Sequence, residues 1–164
     1  MKNENKIDNG AIEAARHGIR RSPKWEKVEK NHLLKEPLCM CCQQGAPNTG
    51  VQIHHIIPFH ICVLLGRPDL ELDERNLITL CESEKGKPCN DHHLLIGHLD
   101  DFKSSNLSVQ NDCRFFASQS KDSIESNTQW LFEKVHKLVP LDLMTEDEKT
   151  SLMFLMDAQF PNLC

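Results

Sequence analysis

Apolar and polar residues recur with helical spacing near the N-terminal end of the chain. Trp25, Val28 and the leucine pair 33–34 form an apolar stripe, and lysines occupy the opposite face. Residues 22–23 are Ser-Pro, a favourable helix start because a capping hydroxyl precedes a proline at the first helical position. Residues 36–37 are Glu-Pro, which ends a helix. The pattern therefore predicts one amphipathic helix between these two signals.

The middle of the chain predicts short strands separated by irregular segments. Residues 51–59, VQIHHIIPF, alternate enough for a β-strand that enters a hairpin, and Pro58 limits its length. Residues 76–81, NLITLC, are apolar and β-branched, which is consistent with a strand or a short helix. Residues 60–75 favour a loop or a short helical insert. The segment HHLLIGH at 92–98 predicts a helix that ends at Gly97.

The C-terminal third predicts further helices. One is expected within residues 106–120, and residues 118–128, with five Ser/Thr, indicate a linker. An amphipathic helix follows around Trp130, and another opens with a capping-box pattern at Thr145. The predicted organisation is an N-terminal extension, partly helical (1–19), a central domain (20–110) and a helical C-terminal extension (111–164).

Net charge changes this picture by restricting where a polyanion could bind. The formal net charge of the 164 residues is −5, but residues 1–38 hold nine Lys/Arg against six Asp/Glu. Residues 39–105 and 106–164 each hold five against nine, so the basic character lies at the N-terminal end. We therefore expect any contacts with nucleic-acid phosphates to come from the predicted first helix and its approach, at Arg20, Arg21, Lys24 and Lys27.

The eight cysteines indicate a metal site more than disulfides. The first ten residues lack an apolar signal segment, which favours a cytoplasmic chain with reduced thiols, and no apolar run approaches the roughly 18 residues of a membrane span. Cys39 and Cys42 have the CxxC spacing of a zinc half-site, although Cys41 competes with Cys39. Cys81 and Cys89 are the candidate second half-site. Since aromatics are only 5% of residues, a structural zinc would stabilise a modest core.

The adjacent histidines 54 and 55 indicate hydrolytic chemistry. Side chains of neighbouring residues on a strand point to opposite faces, so one imidazole can face a metal and the other a water molecule. Hydrolysis of a phosphodiester requires a divalent cation to stabilise the developing charge and a neutral imidazole to deprotonate water. A histidine can serve near neutral pH because its ordinary pKa is about 6.5.

Four fragments together resemble the HNH endonucleases, the ββα-metal nucleases. They are CMCC at 39–42, HHIIPFH at 54–60, NLITLC at 76–81 and CNDHHLLIGH at 89–98, and the likeness covers about residues 20–110. The resemblance implies a small α+β fold, with a ββα-metal core, a zinc knuckle and flanking α-helices. It also implies metal-dependent hydrolysis of DNA.

The resemblance implies roles for individual residues. His54 would bind the catalytic ion, His55 would be the general base, and Asn76 would fix the motif loop. His93 and His98 would complete the metal ligands, with His92 as the reserve candidate. On a regular helix residues five apart are about 140° out of phase, so Gly97 is expected to end the helix before His98.

The nature of the metal and of the partner stays open at this stage. A histidine-rich site favours zinc, manganese or nickel over magnesium, which prefers oxygen ligands. DNA is the expected partner of an active nuclease. Two alternatives are a catalytically inactive, zinc-stapled nucleic-acid-binding module and an adaptor that binds another protein through its C-terminal helices.

Overall fold

The computed structural model describes residues 20–64, 66–83, 89–102 and 104–137, with single positions at 146, 147, 150 and 154. The predicted N-terminal extension, 1–19, lies outside these residues. Most of the helix predicted to open at Thr145 lies outside them too. Among the described residues, no helix combines the length and apolarity needed to cross a membrane.

The described residues form a two-stranded antiparallel sheet surrounded by short helices, which confirms the predicted small α+β class. In chain order the elements are α1 (Trp25–Lys35), β1 (Gly50–His55), α2 (Phe59–Leu64), two 3₁₀ turns (Pro68–Glu71 and Glu74–Asn76), β2 (Leu77–Glu82), a π-helical turn (His93–Gly97), α3 (Val109–Phe115), α4 (Lys121–Glu125) and α5 (Thr128–Lys137).

Helix α1 begins slightly later than its sequence signal and ends where predicted. The Ser22 hydroxyl accepts the N–H of Lys24 at 3.2 Å, so it closes a turn before the helix. The N–H of Trp25 then bonds to the Ser22 carbonyl at 3.0 Å, and the helix runs to Lys35, directly before Glu36. The apolar face of α1 packs on the sheet through Trp25.

The hairpin register decides which side chains share a face. His54 lies opposite Ile78 and His55 opposite Leu77. Because side chains alternate along a strand, His54 and His55 point to opposite faces of the sheet. Ile53, His55 and Leu77 face α1, where Trp25 covers them. His54 faces the π-helical turn.

The main core extends beyond the predicted central domain. Residues 118–128, predicted as a linker, contain α4, because the Ser120 hydroxyl accepts the Ser123 N–H and caps that helix. Ile124 is buried in the cluster that also holds Leu80 and Ile96. The Phe116 ring meets the Trp130 ring edge-on at 4.9 Å. The chain as far as Trp130 therefore shares one core with the sheet.

Phe116 and Phe115 offer a matched test of this shared core. Phe116 is fully buried, whereas the side chain of Phe115 is 64% exposed. We expect Phe116→Ala to lower the free energy of unfolding by about 3–5 kcal/mol, because it leaves a cavity in the core. Phe115→Ala should cost about 1 kcal/mol or less. Urea denaturation at a fixed metal concentration measures both, and equal losses would contradict the described packing.

Candidate metal centres

A tight knuckle presents the first two thiols. The N–H of Cys39 bonds to the Gln44 carbonyl at 2.8 Å, and the N–H of Gln43 bonds back to the Cys39 carbonyl at 2.9 Å. A β-bridge between Leu38 and Gly45 closes the loop. A side chain at Gly45 would collide with the Pro37 carbonyl, so this close approach requires glycine. The knuckle thus brings Cys39 and Cys42 to one side.

Cys81 and His92 complete a four-residue cluster with these thiols. Each of the four offers a ligand atom within 4.8 Å of the others, so the group could hold a metal ion. The Cys42 and Cys81 sulfurs are 3.9 Å apart. His92 Nδ1 lies 3.4 Å from the Cys39 sulfur and 3.2 Å from the Cys81 sulfur. Around tetrahedral zinc, two sulfur ligands lie about 3.8 Å apart, and a sulfur and a nitrogen ligand lie about 3.6 Å apart. The distances in this cluster are close to these values.

The structure corrects the predicted fourth ligand, Cys89. The cluster contains His92 in its place, while the Cys89 sulfur accepts the N–H of Asp91 at 3.1 Å. Asp91 has a φ of 56°, and its carboxylate accepts both the N–H and the hydroxyl of Ser83. This left-handed residue turns the chain so that His92 points inward. The spacing of Cys89 and His92 is the same as in CxxC, a signal that could have suggested His92.

The ligands of this first cluster already share protons strongly. Hydrogen bonds from Cys42 and Cys81 hold the pKa of Cys39 well below its ordinary value. Burial acts to lower the pKa of His92, but hydrogen bonds with the surrounding thiols outweigh it and raise the pKa to about 11. A cation bound here would displace the protons of the thiols and the imidazole, so metal affinity would depend on pH.

His54, His93 and His98, the predicted ligands of the catalytic ion, form a second cluster. The three ring centroids are 4.9–5.5 Å apart, and each pair of rings is close to perpendicular. One ligand nitrogen from each lies within 4.8 Å of the others. His54 comes from the end of β1, and the other two bracket the π-helical turn. The three histidines could therefore hold a metal ion.

The ring orientations fit a bound transition metal. His93 Nδ1 lies 3.1 Å from a carboxylate oxygen of Glu82, and His98 Nδ1 lies 2.8 Å from the Ser104 carbonyl oxygen. These outer partners of His93 and His98 hold each ring in one orientation, as the hydrogen-bond partners of ligands do in metal sites. The Nε2 atom of His54 is buried and has no hydrogen-bond partner among the described residues. Such an orphaned nitrogen is consistent with a role as a ligand to a cation.

The π-helical winding removes the phase conflict predicted for His93 and His98. In this winding hydrogen bonds join residues five apart, so two such residues lie on nearly the same face. The sequence predicted an ordinary helix that Gly97 ends, and the turn does end at Gly97. A side chain at Gly97 would meet two atoms of the His54 ring at 3.0 Å. Glycine thus lets the turn approach the sheet closely enough to join the three imidazoles.

Burial keeps the His54 imidazole neutral. Its pKa lies well below the ordinary value, first because burial penalises the charged form and then because His93 and His98 repel a second positive charge. A neutral imidazole retains the lone pair that a metal requires. Imidazole donors suit zinc, nickel and other transition ions better than they suit magnesium. The donor set is therefore chemically competent to bind such an ion.

His55 lies on the other face of β1 in an enclosed position. Its side chain is 7% exposed, and its ring packs 4.7 Å from the Trp25 ring. Nε2 donates to the Glu71 carbonyl at 3.0 Å, which leaves Nδ1 as the nitrogen that can accept a proton. Burial first, and then the positive charge of Arg21, lower the pKa of His55 to about 3. The predicted base is therefore held in one orientation as the neutral form.

Asn76 fastens the segment that follows His55. Its amide nitrogen donates to the carbonyls of Ile57 and Leu70, both at 3.0 Å, and its amide oxygen accepts the Ile57 N–H at 2.7 Å. Its backbone carbonyl also accepts the N–H of Ile56 at 2.9 Å. A buried side chain with these bonds holds the loop after β1 against the start of β2. Asn76 therefore holds this loop in place, and its part in catalysis stays a prediction.

The predicted nucleic-acid contacts differ in their exposure. Arg20, Lys24 and Lys27 are exposed on and before α1. Arg21 is half-buried, and its guanidinium carbon stands 4.5 Å above the Trp25 ring, a cation–π geometry. Arg21 thus contacts the same indole ring on which His55 packs.

The choice between His92 and Cys89 can be tested through metal content. We expect His92→Ala to lose the metal of the first cluster. The fold should also become less stable, because the four residues of this cluster join the knuckle, β2 and the π-helical turn. Cys89→Ser is the matched control and should retain the metal. Elemental analysis of purified protein and thermal unfolding measure both effects. Retention in His92→Ala with loss in Cys89→Ser would restore the four-cysteine site.

Comparison with known proteins gives no match to this chain. No family model matches the chain, and no curated protein or solved structure shows significant similarity to it. The chemical interpretation of the two clusters therefore depends on their own geometry and on the sequence motifs that compose them.

Proposed function

We propose that this protein is a metal-dependent endonuclease of the HNH type that hydrolyses DNA phosphodiester bonds. The observation that carries the proposal is the convergence of His54, His93 and His98, with an oriented, neutral His55 next to His54 on the same strand. One of the three ligands, His54, and the base, His55, are adjacent residues at the end of one strand. Their order along a β-hairpin followed by a helical turn is also the order that a ββα-metal core requires.

His54, His93 and His98 would hold the catalytic ion, with zinc, manganese or nickel preferred over magnesium by the donor set. When bound, a divalent cation supplies Lewis acidity that stabilises the negative charge developing on the phosphate. Three protein ligands leave coordination positions open for the substrate, as in catalytic metal sites generally. Glu82 and the Ser104 carbonyl would keep the imidazoles oriented throughout.

His55 would take the proton from the attacking water at Nδ1. Its Nε2–H bond to the Glu71 carbonyl fixes this tautomer, and stacking on Trp25 fixes the ring plane. A pKa of about 3 makes the isolated imidazole a weak base. A substrate phosphate would bring negative charge close to the ring, which favours the protonated form and raises the pKa of His55 during the reaction.

The first cluster would hold a structural zinc. Its donor set of three thiolates and one imidazole is typical of structural zinc, and four protein ligands leave no position for a substrate. Cys39, Cys81 and His92 are fully buried, which is also unlike a reaction centre. Zinc here would join the knuckle to β2 and to the start of the π-helical turn, so it would support the catalytic ligands that follow.

A second function is favoured by the enclosure of His55. A base that is 7% exposed and lies beneath an indole ring suits a nucleic-acid-binding module that has lost catalysis, with both metals structural. The two functions differ in one measurable property. The nuclease cleaves DNA with a suitable metal, whereas the module binds DNA and leaves it intact.

Replacing the base should separate chemistry from metal binding. We expect His55→Ala to lower the rate of supercoiled-plasmid nicking by about 100- to 10,000-fold, the usual contribution of a general base. The metal content should stay unchanged, because His55 belongs to neither cluster. His98→Ala is the comparison variant and should lose both the second metal and cleavage. Nicking by His55→Ala at the wild-type rate would exclude His55 as the base.

The exposed basic residues should set the salt dependence of DNA binding. We expect a variant with Arg20→Gln, Lys24→Gln and Lys27→Gln to bind all DNA sequences more weakly. The slope of log affinity against log salt should become shallower by about 0.9 for each phosphate that the variant no longer neutralises. Fluorescence anisotropy at several salt concentrations measures this slope.

Two features of the design keep the DNA-binding result specific to this surface. Arg21 is left in place because it packs over Trp25, so its removal would also disturb the cover of His55. Arg114→Gln removes an exposed charge on α3 and serves as the control. If the triple variant binds as tightly as the parent at low salt, DNA does not contact this surface.

A further inference from the structure

Phe102 places an exposed aromatic ring against the second cluster. Its ring centroid lies 5.0 Å from the His98 ring and 5.9 Å from the His93 ring. The side chain nevertheless remains 44% exposed. A phenyl group that packs on two candidate metal ligands and still faces solvent forms part of the rim of the site.

The loop that carries Phe102 is held in an unusual conformation. Leu99 and Asp100 have φ values of 54° and 63°, a left-handed region that non-glycine residues rarely adopt. The N–H of Asp100 bonds to the Leu94 carbonyl and that of Asp101 to the His98 carbonyl, both at 3.0 Å. Two consecutive residues of this kind persist only where their surroundings fix them, and such outliers concentrate at functional sites. The loop therefore presents the Phe102 ring in a defined position.

The surroundings of Phe102 select the part of a nucleotide that it would meet. Asp100 and Asp101, in the same turn, are exposed carboxylates that repel a phosphate backbone. A phenyl ring offers no hydrogen bond but presents an apolar face. Nucleobases stack on such faces with little dependence on sequence. A base beside the phosphate at the metal is therefore the part of the substrate that matches this ring.

We infer that Phe102 is a positioning residue that stacks on the nucleobase flanking the scissile phosphate. In an intact duplex the bases are stacked on one another inside the helix, so a ring on the rim of the site cannot reach a base face. The substrate class is then DNA that is single-stranded or unpaired at the cleavage position. This inference rests on the proposed nuclease function and adds substrate selection to it.

The test compares one sequence as a single strand and as a duplex. With the wild-type protein, the single strand should be cleaved with the lower KM. Phe102→Ala should raise KM for the single strand by about 5- to 150-fold, the range that one stacking contact on a protein aromatic supplies. The effect on kcat and on the duplex should be small. Phe102→Trp keeps an aromatic ring and should therefore keep the low KM of the wild type. Phe115→Ala removes another exposed phenyl group and should have no effect.

A binding measurement separates this inference from the proposed function. A single strand that carries 2-aminopurine next to the cleavage position should lose fluorescence when it binds to the His55→Ala protein. The loss should disappear in the double variant with Phe102→Ala. If the wild type cleaves neither substrate with any divalent metal, the proposed function fails, yet this quenching would still support stacking by Phe102.

Two results would overturn the inference alone. In the first, the wild type cleaves DNA but Phe102→Ala keeps the wild-type ratio of KM values for the two substrates. In the second, Phe102→Ala loses the metal of the second cluster, measured by elemental analysis, in proportion to its loss of cleavage. The ring would then serve only to cover His93 and His98.

Discussion

The register of the β1–β2 hairpin is the constraint on which both clusters depend. It pairs His54 with Ile78 and Val51 with Cys81, so a metal ligand of each cluster is fixed by the same ladder. A slip of one residue would exchange the two faces of a strand and turn His54 toward Trp25. The apolar residues of both strands oppose such a slip, because one face packs on α1 and the other on the π-helical turn. Packing of the sheet therefore supplies the precision that metal binding needs.

The two clusters are joined at adjacent residues. His92 belongs to the first cluster and His93 to the second, at the start of the same π-helical turn. A metal in the first cluster would fix the beginning of this turn and so reduce the entropy lost when the second cluster orders. The hydrogen bonds of Asp91 to Ser83 fix the chain just before the turn. Through these contacts the first cluster can influence the geometry of the second.

Enclosure has two opposing consequences for the proposed base, His55. Enclosure by Trp25 orients His55 and excludes water from most of the ring, but it also lowers the pKa to about 3. Orientation favours proton transfer, while a low pKa reduces its driving force. Negative charge brought by a substrate would raise the pKa of His55 while Trp25 keeps the ring oriented. The balance between these effects distinguishes an active nuclease from a module that only binds.

Several features followed from the sequence because they depend on local chemistry. The grouping of His54, His93 and His98 was implied by the resemblance to the HNH endonucleases. By contrast, the end of α1 before a proline and the strand character of residues 76–81, where a short helix was the alternative, depend on local chemistry. Local patterns also indicated Cys39 and Cys42 as metal ligands, since CxxC spacing fixes the approach of two thiols. For these features the neighbouring residues already contain the necessary information.

Other features were decided only by tertiary structure. The choice of His92 over Cys89 depends on how Asp91 turns the chain against Ser83, a contact across a segment whose path spacing does not reveal. The π-helical winding arises where Gly97 meets the His54 ring from another element. Enclosure of His55 likewise requires Trp25 from α1. Residue spacing shows which side chains can bind a metal or accept a proton, but only packing between distant segments determines their partners, their exposure and their pKa.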